Sequence, residues 1–88
     1  MKLIADSGST KTDWRVLTQG QNAYQLITNG INPYYADTDA IIATLSDQLL
    51  PHLLAGDVDA VHFYGAGCAN PEANAIVERA LRQLFPNL

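Results

Sequence analysis

Apolar and polar positions alternate through most of the first thirty residues. Lys2 to Ala5 ("KLIA") is a short apolar run, and Trp14 to Leu17 ("WRVL") alternates as a half-buried strand does. In "AYQLIT", Tyr24, Leu26 and Thr28 fall on one face and Ala23, Gln25 and Ile27 on the other. The pattern predicts three consecutive strands, separated by "DSGSTKTD" and by the punctuation "TQGQN", and therefore antiparallel. "NGINPYY" follows, where Gly30, Asn32 and Pro33 are all unsuited to regular structure.

Beyond that loop the period lengthens to three and four. Ile41, Ile42, Leu45, Leu49 and Leu50 make one apolar stripe, so "DTDAIIATLSDQLL" predicts a helix capped by Asp37 or Thr38. Pro51 should kink or end it, leaving "HLLAG" as a last turn stopped at Gly56. "VDAVHFYGAG" has few charges and is rich in Val and aromatics, which predicts a strand covered on both faces. Asn70 and Pro71 open a second helix, "PEANAIVERALRQLF", with Ala73, Ile76, Val77, Ala80, Leu81 and Leu84 inward. The order β-β-β-α-β-α predicts an α/β fold whose mixed sheet has three antiparallel strands and then a parallel strand reached by a helical crossover. Residues 1–88 hold no repeat, low-complexity segment or linker, and a helix ending in "FPNL" has another strand as its natural continuation. They are expected to be the N-terminal portion of one domain, incomplete at its C-terminal end.

Charge and composition narrow the function classes. The net charge is -4 and no basic run occurs, which excludes an electrostatic nucleic-acid surface. No apolar run approaches the roughly 20 residues of a membrane helix. Cys68 is the single cysteine and no leader pattern opens the chain, so a cytoplasmic protein is expected.

The chemistry concentrates in "DSGSTKTD". Lys11 and Thr12 imitate the end of a P-loop, but the residue immediately before Lys11 is Thr10 and not glycine, and the residues after Thr12 are strand-like where a P-loop runs into a helix. A hairpin turn can still hold phosphate. Gly8 lets the main chain approach phosphate oxygens, Ser7, Ser9, Thr10 and Thr12 offer hydroxyl donors, and Lys11 supplies positive charge. Hydrogen bonds to a charged group contribute roughly 1.5 to 3 kcal/mol each, so three or four suffice for a triphosphate tail. Asp6 would repel that tail unless a divalent cation lay between them, a role that suits Mg²⁺. The competing reading is a plain polar turn, because the same residue types dominate turns.

Placed between the first two of three strands, "DSGSTKTDW" resembles the first phosphate motif of the sugar kinase, heat-shock-protein-70 and actin ATPase superfamily, whose fold is ribonuclease-H-like. With "NGINPYY" after the third strand and "GAG" after the fourth, the whole chain looks most like the N-acetylglucosamine kinase branch of the BadF/BadG/BcrA/BcrD ATPase family. The resemblance implies an ATP-dependent kinase for N-acetylglucosamine or a related amino sugar, acting at the 6-hydroxyl. It implies that Gly8, Ser9, Thr10 and Lys11 touch the ATP phosphates and that Asp6 orients hydrated Mg²⁺. Asn32 would bind sugar hydroxyls, against a plain Asn-Pro turn, and Gly65 and Gly67 would let the sugar approach the backbone, against a tight strand-to-helix turn. Two other readings stay open: an ATPase activator of an acyl-CoA dehydratase or reductase, and a nucleotide-binding regulatory domain without turnover. A homodimer is left open for the full-length protein. The activators carry an iron-sulfur cluster between subunits, and one cysteine weakens that reading.

Other residues carry less. His52 and His62 lack partners at metal-ligand spacing, Asp57 and Asp59 suit a solvated turn, and Cys68 has nothing that makes it a nucleophile. Asp13 can pair with Lys11 or Arg15, and Trp14, Tyr34 and Tyr35 read as core or cleft wall. The resemblance puts the catalytic base on the strand after Leu88, and the second phosphate loop and adenosine pocket in another domain. Residues 1–88 alone are therefore expected to transfer no phosphate from ATP to a sugar, and measurable ATP-dependent phosphorylation of N-acetylglucosamine by them would contradict this.

Overall fold

Alternation in the first three strands folds into a sheet with one buried face. The computed structural model describes residues 1–65 and 70–88. Its elements are β1 (Lys2–Ser7), β2 (Lys11–Leu17), β3 (Tyr24–Asn29), α1 (Thr38–Gln48), β4 (Ala60–Gly65) and α2 (Pro71–Leu84). The strand order is β3-β2-β1-β4, with β1 antiparallel to β2, β2 antiparallel to β3, and β4 parallel to β1. This is the mixed sheet expected from the sequence, in the β-β-β-α-β-α order of the ribonuclease-H-like fold.

Register explains the buried face. Ala5 lies opposite Trp14 on one side and Phe63 on the other, and Trp14 lies opposite Leu26, so these four share a row. Leu3, Ala5, Trp14 and Val16 meet Ile41 and Leu45 of α1, Leu49 just after it, and Val77, Ala80, Leu81 and Leu84 of α2 in one core. Trp14 is fully buried, its ring centroid 6.3 Å from that of Phe63, and its Nε1 donates to Thr28 Oγ1 at 3.0 Å. A buried indole N–H needs such a partner, so a threonine on β3 faces the core.

Both helices lie on that face and both are capped by side chains. Asp37, rather than Thr38, is the α1 N-cap and accepts from Ala40 N at 2.8 Å. Thr38 Oγ1 instead donates to the Ile76 carbonyl at 3.0 Å, tying the start of α1 to α2. Asn70 caps α2 by accepting from Ala73 N, with Pro71 at its first turn.

Three expectations change. First, β1 and β2 run on to Ser7 and from Lys11, because Ser7 and Thr12 still pair across the ladder and only the hairpin tip is irregular. Second, α1 stops at Gln48, and the "LLPHLLAG" segment forms two short 3₁₀ turns, Leu50–His52 and Ala55–Asp57, since Pro51 supplies no N–H to an α-helical ladder. Third, β4 is covered on one face only: Val61 and Phe63 are partly buried, while His62 and Tyr64 project to solvent. Its few charges made it read as a doubly covered strand. Ile4, Leu17 and Ile27 share the exposed face with Tyr64.

Candidate phosphate-binding turn

The sheet gathers the chemistry-bearing residues at one end. The C-terminal ends of β1, β3 and β4 and the N-terminal end of β2 lie together, so Asp6, the Gly8–Lys11 turn, the loop after Asn29 and Gly65 are neighbours in the fold. Gly8 N donates to the Lys11 carbonyl at 2.8 Å and closes the hairpin, leaving Ser9 and Thr10 as its exposed tip. Neither the Ser9 nor the Thr10 backbone N–H has a partner among the described residues.

Glycine at position 8 has no internal cause. Its φ is not positive, and a Cβ built there would meet only the Lys11 carbonyl oxygen at 3.6 Å, an ordinary contact. Position 30 differs. A Cβ on Gly30 would lie 2.5 Å from the Gly8 carbonyl oxygen and 2.8 Å from Ser9 backbone atoms, so the loop after β3 rests on the turn and only glycine fits. Gly30 N donates to the Thr10 carbonyl at 3.1 Å across the same contact.

Ser7 and Thr12 do not serve as phosphate donors. Both are buried, on the core side of the sheet, with the two hydroxyl oxygens 2.7 Å apart. Ser7 Oγ accepts from Ile31 N at 2.9 Å and lies 3.1 Å from the Ile31 carbonyl, while Thr12 Oγ1 lies 3.0 Å from the Asn29 carbonyl. The period of two decides this: in a hairpin tip only two residues long, Ser7 and Thr12 still belong to the strands and point inward. The hydroxyls left for a ligand are those of Ser9 and Thr10.

Asp6 is exposed and stands opposite Asp13 in the β1–β2 register, with Tyr64 on its other side. Asp13 is engaged: Oδ2 accepts from Gln25 Nε2 at 2.7 Å and Oδ1 lies 3.4 Å from Arg15 Nε, so Arg15 and not Lys11 is its cation. Asp6 has no such partner among the described residues. Like charges directly opposite on a sheet repel, and a cation at Asp6 would relieve that repulsion. Hydrated Mg²⁺ takes one or two carboxylate oxygens together with phosphate oxygens, and Asp6 is an exposed carboxylate at the same end of the sheet as the Gly8–Lys11 turn.

Asn32 sits in a closed turn. Its Oδ1 accepts from Tyr34 N at 3.0 Å and its carbonyl accepts from Tyr35 N and Ala36 N. The turn reading of "NP" is therefore correct geometrically, and it fixes the amide: with Oδ1 facing an N–H, Nδ2 is the end presented outward as a donor. Tyr34 and Tyr35 are 62% and 90% exposed, so neither is a core residue. Gly65 ends β4 as expected, but it has an internal cause: a Cβ there would lie 2.6 Å from Cε1 of Phe63. Gly67 and Cys68 lie outside the described residues. A groove of about 400 Å³ runs between β4 and α2, lined by Val61, Phe63, Val77 and Leu81, away from the turn.

Among the described residues no cluster of three or more His, Cys, Asp or Glu could hold a metal, and no helix is long and apolar enough to cross a membrane. Replacing Gly30 and Gly8 by alanine separates the two glycines. Gly30→Ala is expected to lower unfolding free energy by about 1 to 3 kcal/mol through overpacking. Gly8→Ala should change it by less than about 0.5 kcal/mol. Denaturant midpoints at unchanged slope measure both, and equal losses would contradict the packing described.

No protein-family model matches the chain, and no curated protein does. A solved structure does: a "Putative N-acetylglucosamine Kinase" from Porphyromonas gingivalis, 40% identical, with a TM-score of 0.86 over 99% of this chain. The chain spans 31% of the length of that structure. At that identity and coverage the chain is a relative of the Porphyromonas protein and shares its ribonuclease-H-like fold.

Proposed function

We propose that this chain is the phosphate-binding part of an ATP-dependent sugar kinase that phosphorylates N-acetylglucosamine or a related amino sugar at its 6-hydroxyl. The observation that carries the reading is the hairpin tip: two backbone N–H groups without a partner among the described residues, beside a glycine that neither the turn nor the packing of those residues requires. The likeness to a protein with that name supports the substrate class.

In this reading the Ser9 and Thr10 N–H groups and hydroxyls bind phosphate oxygens, and the missing side chain at Gly8 lets those oxygens reach the main chain. Lys11, exposed at the start of β2, adds positive charge to the same end of the sheet. Asp6 holds Mg²⁺ through water, and the metal when bound supplies neutralisation of the charge on the phosphates. Asn32 Nδ2 donates to a sugar hydroxyl oxygen, while Oδ1 is retained by Tyr34 N. Gly65 offers small surface to the sugar at the end of β4. The reading takes the protein to be cytoplasmic, where ATP is available.

Asp6→Asn in the full-length kinase is expected to lower kcat by about tenfold or more, with the melting temperature unchanged, because an exposed carboxylate contributes little to the core. Sugar-dependent ADP release measures it. Turnover left intact by Asp6→Asn would remove the metal assignment, and ADP release indifferent to N-acetylglucosamine and related sugars would remove the kinase.

A further inference from the structure

The phosphate turn and the Asn32 loop are joined by a buried device that neither site uses directly. Ser7 and Thr12 place two hydroxyls 2.7 Å apart beneath the hairpin tip, shielded from water. Ser7 Oγ receives the Ile31 N–H at 2.9 Å and reaches the Ile31 carbonyl at 3.1 Å, and Thr12 Oγ1 reaches the Asn29 carbonyl at 3.0 Å. Two hydroxyl protons thus serve three contacts, which keeps the pair bonded to the loop whichever way each rotor turns. Above them Gly30 sits against Gly8 and Ser9 with no room for a methyl group, and its N–H donates to the Thr10 carbonyl at 3.1 Å. From Ile31 the chain passes directly to Asn32, whose turn is closed by three further hydrogen bonds.

We propose that Ser7, Thr12 and Gly30 are positioning residues that hold the Asn32 amide at a fixed place relative to the Gly8–Lys11 turn. The proposal rests on the kinase reading for its consequence: transfer needs the sugar hydroxyl in line with the γ-phosphoryl group, and a displacement of about 1 Å can cost on the order of 100-fold in rate. None of the three residues needs to touch a ligand. Thr12 and Ser7 act through Ile31 and Asn29, and Gly30 acts through its contact with the tip.

Two measurements on the full-length protein test this. In an active kinase, Ser7→Ala and Thr12→Val are expected to lower kcat between about 10- and 100-fold while the KM for ATP changes less than about threefold. Thr12→Ser, which keeps the hydroxyl, should recover most of the loss. Amide exchange needs neither ATP nor sugar: in Ser7→Ala the Gly8 and Gly30 amides should exchange about tenfold faster together with Ile31, although only Ile31 has lost its direct partner. Exchange that rises at Ile31 alone, or an unchanged kcat in an active enzyme, would overturn the proposal. A wild-type protein that phosphorylates no sugar would overturn the kinase reading instead, and the exchange result would still decide the linkage.

Discussion

The fit of Gly30 against the Gly8–Thr10 tip is the constraint on which the arrangement of the functional end depends. It brings a loop from the far end of β3 onto a hairpin made by β1 and β2, and it tolerates no side chain. The buried Ser7–Thr12 pair supports the contact from below by satisfying backbone groups that a glycine-proline loop cannot satisfy within itself. Leaving one of those groups buried without a partner would cost about 1 to 3 kcal/mol, more than a typical hydrogen bond contributes. That asymmetry keeps loop and turn together.

The sheet supplies the rest by register alone. Because side chains alternate, the same strands that send Leu3, Ala5, Trp14 and Val16 into the core send Asp6 and Lys11 outward at the end that carries the Gly8–Lys11 turn. One residue of slip in β1 would bury Asp6 and expose Ser7. Trp14 on β2, hydrogen-bonded to Thr28 on β3 and packed near Phe63 on β4, ties three of the four strands together on the buried face. Chemistry and core are therefore specified by the same pairing.

Much of this was legible in the sequence. The two periods give the six elements in order, and the caps at Asp37 and Asn70 follow from residue type. The turn "GSTK" separates from a P-loop on its glycine spacing and on the strand-like residues that follow it. What periodicity could not show is where a strand stops: Ser7 and Thr12 look like turn residues, and only the ladder makes them core residues. Low charge in β4 likewise suggested two covered faces, because a Tyr and a His on an exposed face leave the same trace as a buried strand. Nothing in the sequence says which of Gly8 and Gly30 the packing requires. Only the distances from each absent Cβ tell one from the other.

The central claim is that the Ser9 and Thr10 amides receive phosphate. Titration of the full-length protein, labelled with ¹⁵N at serine, threonine and glycine, with Mg²⁺ and a non-hydrolysable ATP analogue tests it directly by amide chemical shift. The account predicts the largest saturable shifts at Ser9 and Thr10, with a smaller accompanying shift at Gly30. Saturable nucleotide binding that leaves the Ser9 and Thr10 amides unmoved would contradict it.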